Sequence, residues 1–136
     1  MKVRNGFVSN SSSSSFVILK EAISNEEIDM ILNYQKWIEF FIKLDEGNEN
    51  STLAEDFEYY LSDPWRIVEY EDFIFGETSM DNLDMPNYFD YIKLDQKYID
   101  WDDGYNEEPY QTQIKFIENL KREFRKKKIN KLNKLN

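Results

Sequence analysis

The spacing of apolar positions along the chain predicts a mixed α and β domain. Apolar residues recur at steps of three and four in four stretches, which predicts helices near residues 25–45, 52–61, 86–94 and 109–126. Short runs of β-branched and aromatic residues predict strands near residues 15–19, 65–75 and 97–101. Glu71 and Asp72 lie inside the second run and leave open a turn or one continuous edge strand. The pattern therefore predicts the α+β class, with a small sheet of three or four strands packed against about four helices in a single domain.

Helix starts are marked by two matches to the capping box, in which two side chains each satisfy a free backbone N–H. Ser24 and Glu27 form the first match, and Thr52 and Glu55 form the second. The helix after Ser24 is apolar nearly all round, so it is either buried on two sides or meets a partner. Burial in the core is the interpretation we favour for it.

Charge divides the chain unevenly. Residues 115–136 hold nine basic and two acidic residues, a net charge of +7, whereas residues 1–114 hold eight basic and 25 acidic residues, a net charge of −17. We expect residues 1–15 to form a serine-rich arm or first strand, residues 16–126 the α+β domain, and residues 127–136 a basic tail. The basic end is expected to pack against the acidic surface of the same chain or to complement the helix dipole.

Composition excludes several classes of function. The 136 residues include no histidine and no cysteine, so the commonest general base, the commonest transition-metal ligand and disulfides are all missing. The net charge of −10 argues against a general nucleic-acid footprint. No apolar stretch is long enough for a membrane span. The four glycines are far apart, so no phosphate loop exists and no cofactor is expected.

An acidic cluster is the candidate metal site. Carboxylate oxygens are ligands for Mg²⁺ and Ca²⁺, and alternation along a strand would place Asp100 and Asp102 on one face. We favour a solvated strand end and turn over a metal site for this cluster. The candidate ligands are Asp81, Asp95, Asp100 and Asp102.

Aromatic residues make up 16 % of the chain, more than a core of this size needs. Aromatic side chains dominate binding hot spots in protein interfaces. The candidate anchors for a partner protein are Phe7, Phe16, Trp37, Phe40, Trp65 and Trp101.

One string in the chain is specific. Residues 4–16 read RNGFVSNSSSSSF, and this resembles the N-terminal motif R-x-G-F-V-S-N-S-S-S-S-S-F that opens many small, otherwise dissimilar proteins of tailed bacteriophages. The resemblance implies an origin in a phage or prophage. It carries over no catalytic or binding residue. Such an arm of small hydroxyl side chains is able to add a strand to a sheet.

These observations predict a phage accessory protein that is not an enzyme and that binds a host or phage protein, in host take-over or in suppression of a host defence. Three alternatives stay open: a virion or assembly component, an acidic DNA mimic, and a divalent-metal-dependent enzyme. The expected location is the host cytosol, with association with the virion as the alternative. The oligomeric state stays open.

Overall fold

A four-stranded antiparallel sheet lies at the centre of the fold, in the spatial order β2-β3-β1-β4. The computed structural model describes residues 14–58, 60–61, 65–78, 83–104 and 106–135. The strands are β1 (Ser14–Leu19), β2 (Arg66–Glu69), β3 (Phe73–Thr78) and β4 (Ile99–Asp102). The helices are α1 (Asn25–Leu32), α2 (Tyr34–Leu44), α3 (Leu53–Asp56), α4 (Met85–Tyr91) and α5 (Gln111–Leu135). The α+β class is therefore confirmed.

The central strand β1 is buried along its whole length because both faces of the sheet are covered. Since side chains alternate along a strand, Phe16 and Ile18 point to one face, and Val17 and Leu19 point to the other. The first face packs against α1, α2, α3 and α4, with a core that includes Ile31, Ile38, Phe57, Leu83, Tyr88 and Phe89. The second face packs against α5 through Ile117 and Leu120.

Gly76 makes room for the ring of Phe16 in the first core. It lies opposite Phe16 across the β1–β3 pair, and a Cβ added there would lie 2.2 Å from Cε2 of Phe16. The ring of Phe16 is held in place by three other rings, at centroid distances of 4.9 Å to Phe89, 5.4 Å to Trp101 and 5.8 Å to Trp65. Only glycine fits at this position without displacing that ring.

The run predicted near residues 65–75 is a hairpin of β2 and β3. Tyr70 donates its backbone N–H to the carbonyl of Phe73 at 2.8 Å, which closes the turn that contains Glu71 and Asp72. The sequence left open a turn or one continuous edge strand at Glu71 and Asp72, and the structure shows a turn there.

The helix predicted over residues 25–45 is two helices, and this prediction was wrong in its continuity. The backbone of Asn33 leaves helical dihedrals, with φ −113° and ψ 40°. Its side-chain amide donates to Oδ1 of Asp29 at 2.7 Å. Asparagine favours helix ends because its side chain competes for local hydrogen bonds.

The two predicted capping boxes have different outcomes. The box at Ser24 is confirmed, since its hydroxyl accepts from the Glu27 N–H at 3.1 Å and its own N–H donates to Glu27 Oε1 at 2.9 Å. The box at Thr52 was wrong, because the Thr52 hydroxyl donates to Asp56 Oδ2 at 2.8 Å instead. The helix that follows is a single turn, shorter than the predicted 52–61.

The last helix runs to Leu135, so residues 127–135 continue α5 rather than forming a separate tail. Lys121 pairs with Asp72 at 2.5 Å, and Lys128 pairs with Glu21 at 2.7 Å. These ion pairs join the basic helix to the acidic body, and lysine and leucine favour helix beyond them. The last turns are exposed, including the apolar side chains Ile129 and Leu132.

Candidate functional site

The exposed side of α2 carries a cluster of aromatic side chains. Tyr34 and Ile38, four residues apart, face the core, and the neighbouring stripe of the helix is left uncovered. Phe40 is 49 % exposed, and Leu44, four residues on, is 69 % exposed. Tyr91 at the end of α4 is 43 % exposed and contacts this stripe. We call Trp37, Phe40, Phe41, Leu44 and Tyr91 the α2 surface.

The rings of the α2 surface are connected to the core. Phe41 contacts Trp37, Phe40 and Tyr91 at centroid distances of 5.7, 5.9 and 5.1 Å. Tyr91 contacts the fully buried ring of Phe57 at 5.4 Å with the planes nearly perpendicular. Such edge-to-face contacts are favourable for aromatic pairs. The exposed rings are therefore held in fixed positions, so binding them costs little side-chain entropy.

An open groove of about 450 Å³ adjoins these rings at the junction of α1 and α2. It is lined by Asp29, Asn33, Lys36, Trp37 and Phe40. The rings of Trp37 and Phe40 meet at 88°, with centroids 5.8 Å apart. One wall is therefore aromatic, while the other residues of the groove are charged or polar.

The carboxylate of Asp29 is fixed at this groove. Its Oδ2 accepts the indole N–H of Trp37 at 2.8 Å, and its Oδ1 accepts the amide of Asn33 at 2.7 Å. The hydrogen bond from Trp37, and after it the hydrogen bond from Asn33, lower the pKa of Asp29. Burial opposes them, and the charge of Lys36 adds a smaller lowering effect. The site thus holds an exposed, ionised carboxylate beside two aromatic rings.

The predicted aromatic anchors lie in different environments. Phe16 is fully buried and Trp65 is 4 % exposed, so both belong to the core and are not available as surface anchors. Their burial follows from the sheet position of Phe16 and from the indole of Trp65, which donates to the Leu83 carbonyl at 2.8 Å. Trp101 is partly buried against the same core. Phe7 lies outside the described residues, and only Trp37 and Phe40 come together at an open surface.

Three of the four acidic candidates lie in the described part of the chain, and these three do not gather into one metal site. Asp100 and Asp102 lie on the same face of β4, opposite Val17 and Ser15 of β1, and Asp95 starts the turn before that strand. Burial, then the charge of Asp102, raises the pKa of Asp100. Asp81 lies outside the described residues. Within the part of the chain that is described, no group of three or more acidic side chains is placed to hold a metal ion.

Another polar cluster lies at the end of the sheet beneath the start of α5. The buried carboxylate of Glu77 pairs with Arg66 through Oε1 at 2.5 Å, and Arg66 also donates to the Glu107 carbonyl. Gln113 donates to the Ser15 hydroxyl at 3.1 Å. These bonds join β1 to α5, and β2 and β3 to the segment before α5, so the cluster has a structural role.

Sequence reasoning missed Asp29 and Tyr91. Tyr91 lies off the apolar stripe of α4, so its position was a usable signal for an exposed ring. Asp29 had no such signal, because its hydrogen bond to Trp37 depends on the break at Asn33.

Comparison of the chain with protein-family models, with curated proteins and with solved structures gives no significant match. In the described ranges, none of the helices combines the length and the apolar character that crossing a bilayer requires. Function therefore has to be argued from the site.

Proposed function

We propose that this protein is a non-enzymatic binding module whose α2 surface docks a partner protein. The observation that carries the proposal is the cluster of packed rings at Trp37, Phe40 and Tyr91, of which Phe40 and Tyr91 are exposed and Trp37 is half-buried. Aromatic side chains supply much of the energy of protein interfaces when they sit in pre-organised positions. An exposed cluster of this kind is unusual in a surface otherwise rich in charge.

The absence of histidine and cysteine from the sequence supports a binding role over the common kinds of catalysis. The resemblance of residues 4–16 to a phage motif motivates a host protein as the partner, with host take-over or suppression of a defence as the context. A virion component and a DNA mimic remain the rival binding roles, and the same experiment separates them.

The experiment is a quantitative capture from infected host lysate with the full chain, tagged at the C-terminus so that residues 1–15 stay unmodified. The test variant carries Phe40→Ser and Leu44→Ser on the α2 surface. The matched control carries Ile129→Ser and Leu132→Ser, two helix residues of similar exposure, 52 % and 61 %. Thermal unfolding of both variants checks that each remains folded.

We expect one host protein to be captured at constant stoichiometry by the parent chain and by the α5 control. The α2 variant should lose at least about tenfold in apparent affinity, because truncation of one hot-spot side chain costs about 2 kcal/mol or more. Equal capture by the α2 variant would refute the proposal. Recovery of virion proteins alone would support the assembly role, and capture competed by duplex DNA and abolished by salt would support the mimic.

A further inference from the structure

The groove beside the α2 surface has the chemistry of a cation site. Two aromatic rings at 88° line it together with the carboxylate of Asp29. The face of an aromatic ring carries negative electrostatic potential and attracts Lys or Arg within about 6 Å. We propose that Asp29, Trp37 and Phe40 together receive a basic side chain of the partner protein. The inference rests on the proposed function, because it names the partner's chemistry at the same surface.

The carboxylate of Asp29 is prepared for such a contact. Each of its oxygens accepts one hydrogen bond, from Trp37 and from Asn33, and each carboxylate oxygen has a second lone pair available. The two bonds fix the orientation of the group, and its exposure leaves it accessible to an incoming donor. An ionised acceptor makes a hydrogen bond about twice as strong as a neutral one.

The charge of the surroundings favours a cation over an anion. The whole chain carries a net charge of −10, and this field attracts a basic partner. Lys36 is the one cation among the groove residues, and its charge opposes a basic ligand. Removal of the Lys36 charge should therefore tighten the binding of a basic ligand and weaken the binding of an acidic one. The sign of the change in affinity thus shows which kind of ligand the groove takes.

An arginine side chain fits this groove better than a lysine side chain does. Its planar guanidinium is able to stack on an indole while donating to a carboxylate, and it is more weakly hydrated than an ammonium group. We expect the partner to present an arginine flanked by apolar residues, which would contact Phe40 and Leu44.

The test uses the ¹⁵N-labelled full chain and a blocked tripeptide, Leu-Arg-Leu. The comparison peptides replace its arginine with citrulline, which is an uncharged isostere, or with glutamate. Binding is followed by the indole N–H resonance of Trp37, assigned with Trp37→Phe. The variants are Asp29→Asn, which keeps an oxygen acceptor for the indole, Lys36→Ala, and Glu39→Gln, a control that removes an exposed α2 carboxylate outside the groove.

We expect a saturable shift with the arginine peptide and an affinity about fivefold to tenfold lower for citrulline or for Asp29→Asn, the loss expected for one charge-assisted contact. Lys36→Ala should tighten binding, and Glu39→Gln should leave it unchanged at moderate salt. Equal binding of citrulline, tighter binding of glutamate, weaker binding by Lys36→Ala, or no saturable shift would each overturn the inference.

Capture from lysate separates this inference from the proposed function. If the variant with Phe40→Ser and Leu44→Ser loses the partner while Asp29→Asn keeps it in full, the docking surface stands and the cation site fails. If neither variant loses the partner, the proposed function fails. Loss by both variants, with the peptide result above, supports both.

Discussion

At the scale of single residues, the contact between Gly76 and Phe16 sets the packing of the first core. We expect Gly76→Ala to lower the free energy of unfolding by about 1–3 kcal/mol or more, the usual cost of overpacking, because the added Cβ would lie 2.2 Å from the Phe16 ring. Urea denaturation measures this change.

A double-mutant cycle identifies the cause. In a Phe16→Leu background the ring is gone, so the added cost of Gly76→Ala should fall below that in the parent chain. An unchanged cost in both backgrounds would mean that the backbone, and not the ring, requires glycine at this position.

Asp100 is the residue from which we expect a dependence of stability on pH. Because burial and Asp102 raise its pKa in the folded chain, the folded state binds this proton more tightly than the unfolded state does. The contribution of Asp100 to the free energy of unfolding is therefore fully present at low pH and is lost as the pH rises through the pKa of Asp100 in the folded chain. Asp100→Asn should be more stable than the parent at pH 7, by less than about 1 kcal/mol since the side chain is only partly buried.

The difference in stability between Asp100→Asn and the parent chain should vanish at about pH 3, which is below the ordinary pKa of aspartate. Thermal unfolding across this range measures it. Asp103→Asn, which removes an exposed charge from the same turn, controls for the change in net charge. An advantage that persists at low pH would argue against the titration of Asp100 as its cause.

At the scale of elements, α5 has a packed part and an exposed part. Ile117, 3 % exposed, covers the second face of the sheet, whereas Leu132 is 61 % exposed. We expect Ile117→Ala to lower the free energy of unfolding by about 2–4 kcal/mol and Leu132→Ala to change it by less than about 0.5 kcal/mol. Chemical denaturation compares the two; similar losses would mean that the end of the helix is packed as well.

The elements were predictable where a local pattern decided them. The strand around Phe16 follows from a short apolar run, and the helix start at Ser24 follows from a capping box. The break at Asn33 was not predictable, because the apolar spacing continues across it. The same limit applied to the site: composition showed a surplus of rings, but tertiary packing decides that Phe16 is buried and Phe40 is exposed.

At the scale of the whole molecule, β1 is the strand that joins the two cores. Its residues Val17 and Ile18 pair with β3 on one side and with β4 on the other. We expect their amide protons to exchange only through global unfolding, whereas those of the edge strand β2 should exchange at least about tenfold faster through local opening. Hydrogen exchange followed by NMR measures both. Equal protection would indicate that the sheet opens as one unit.

The strand order also has a consequence for synthesis on the ribosome. The centre of the sheet is made first, but its neighbours β3 and β4 begin at Phe73 and Ile99. The apolar residues of β1 therefore have no complete sheet to join until most of the chain has been translated. Pairings this distant form slowly and leave apolar segments exposed meanwhile. The nascent chain should thus depend on chaperones until β4 has emerged.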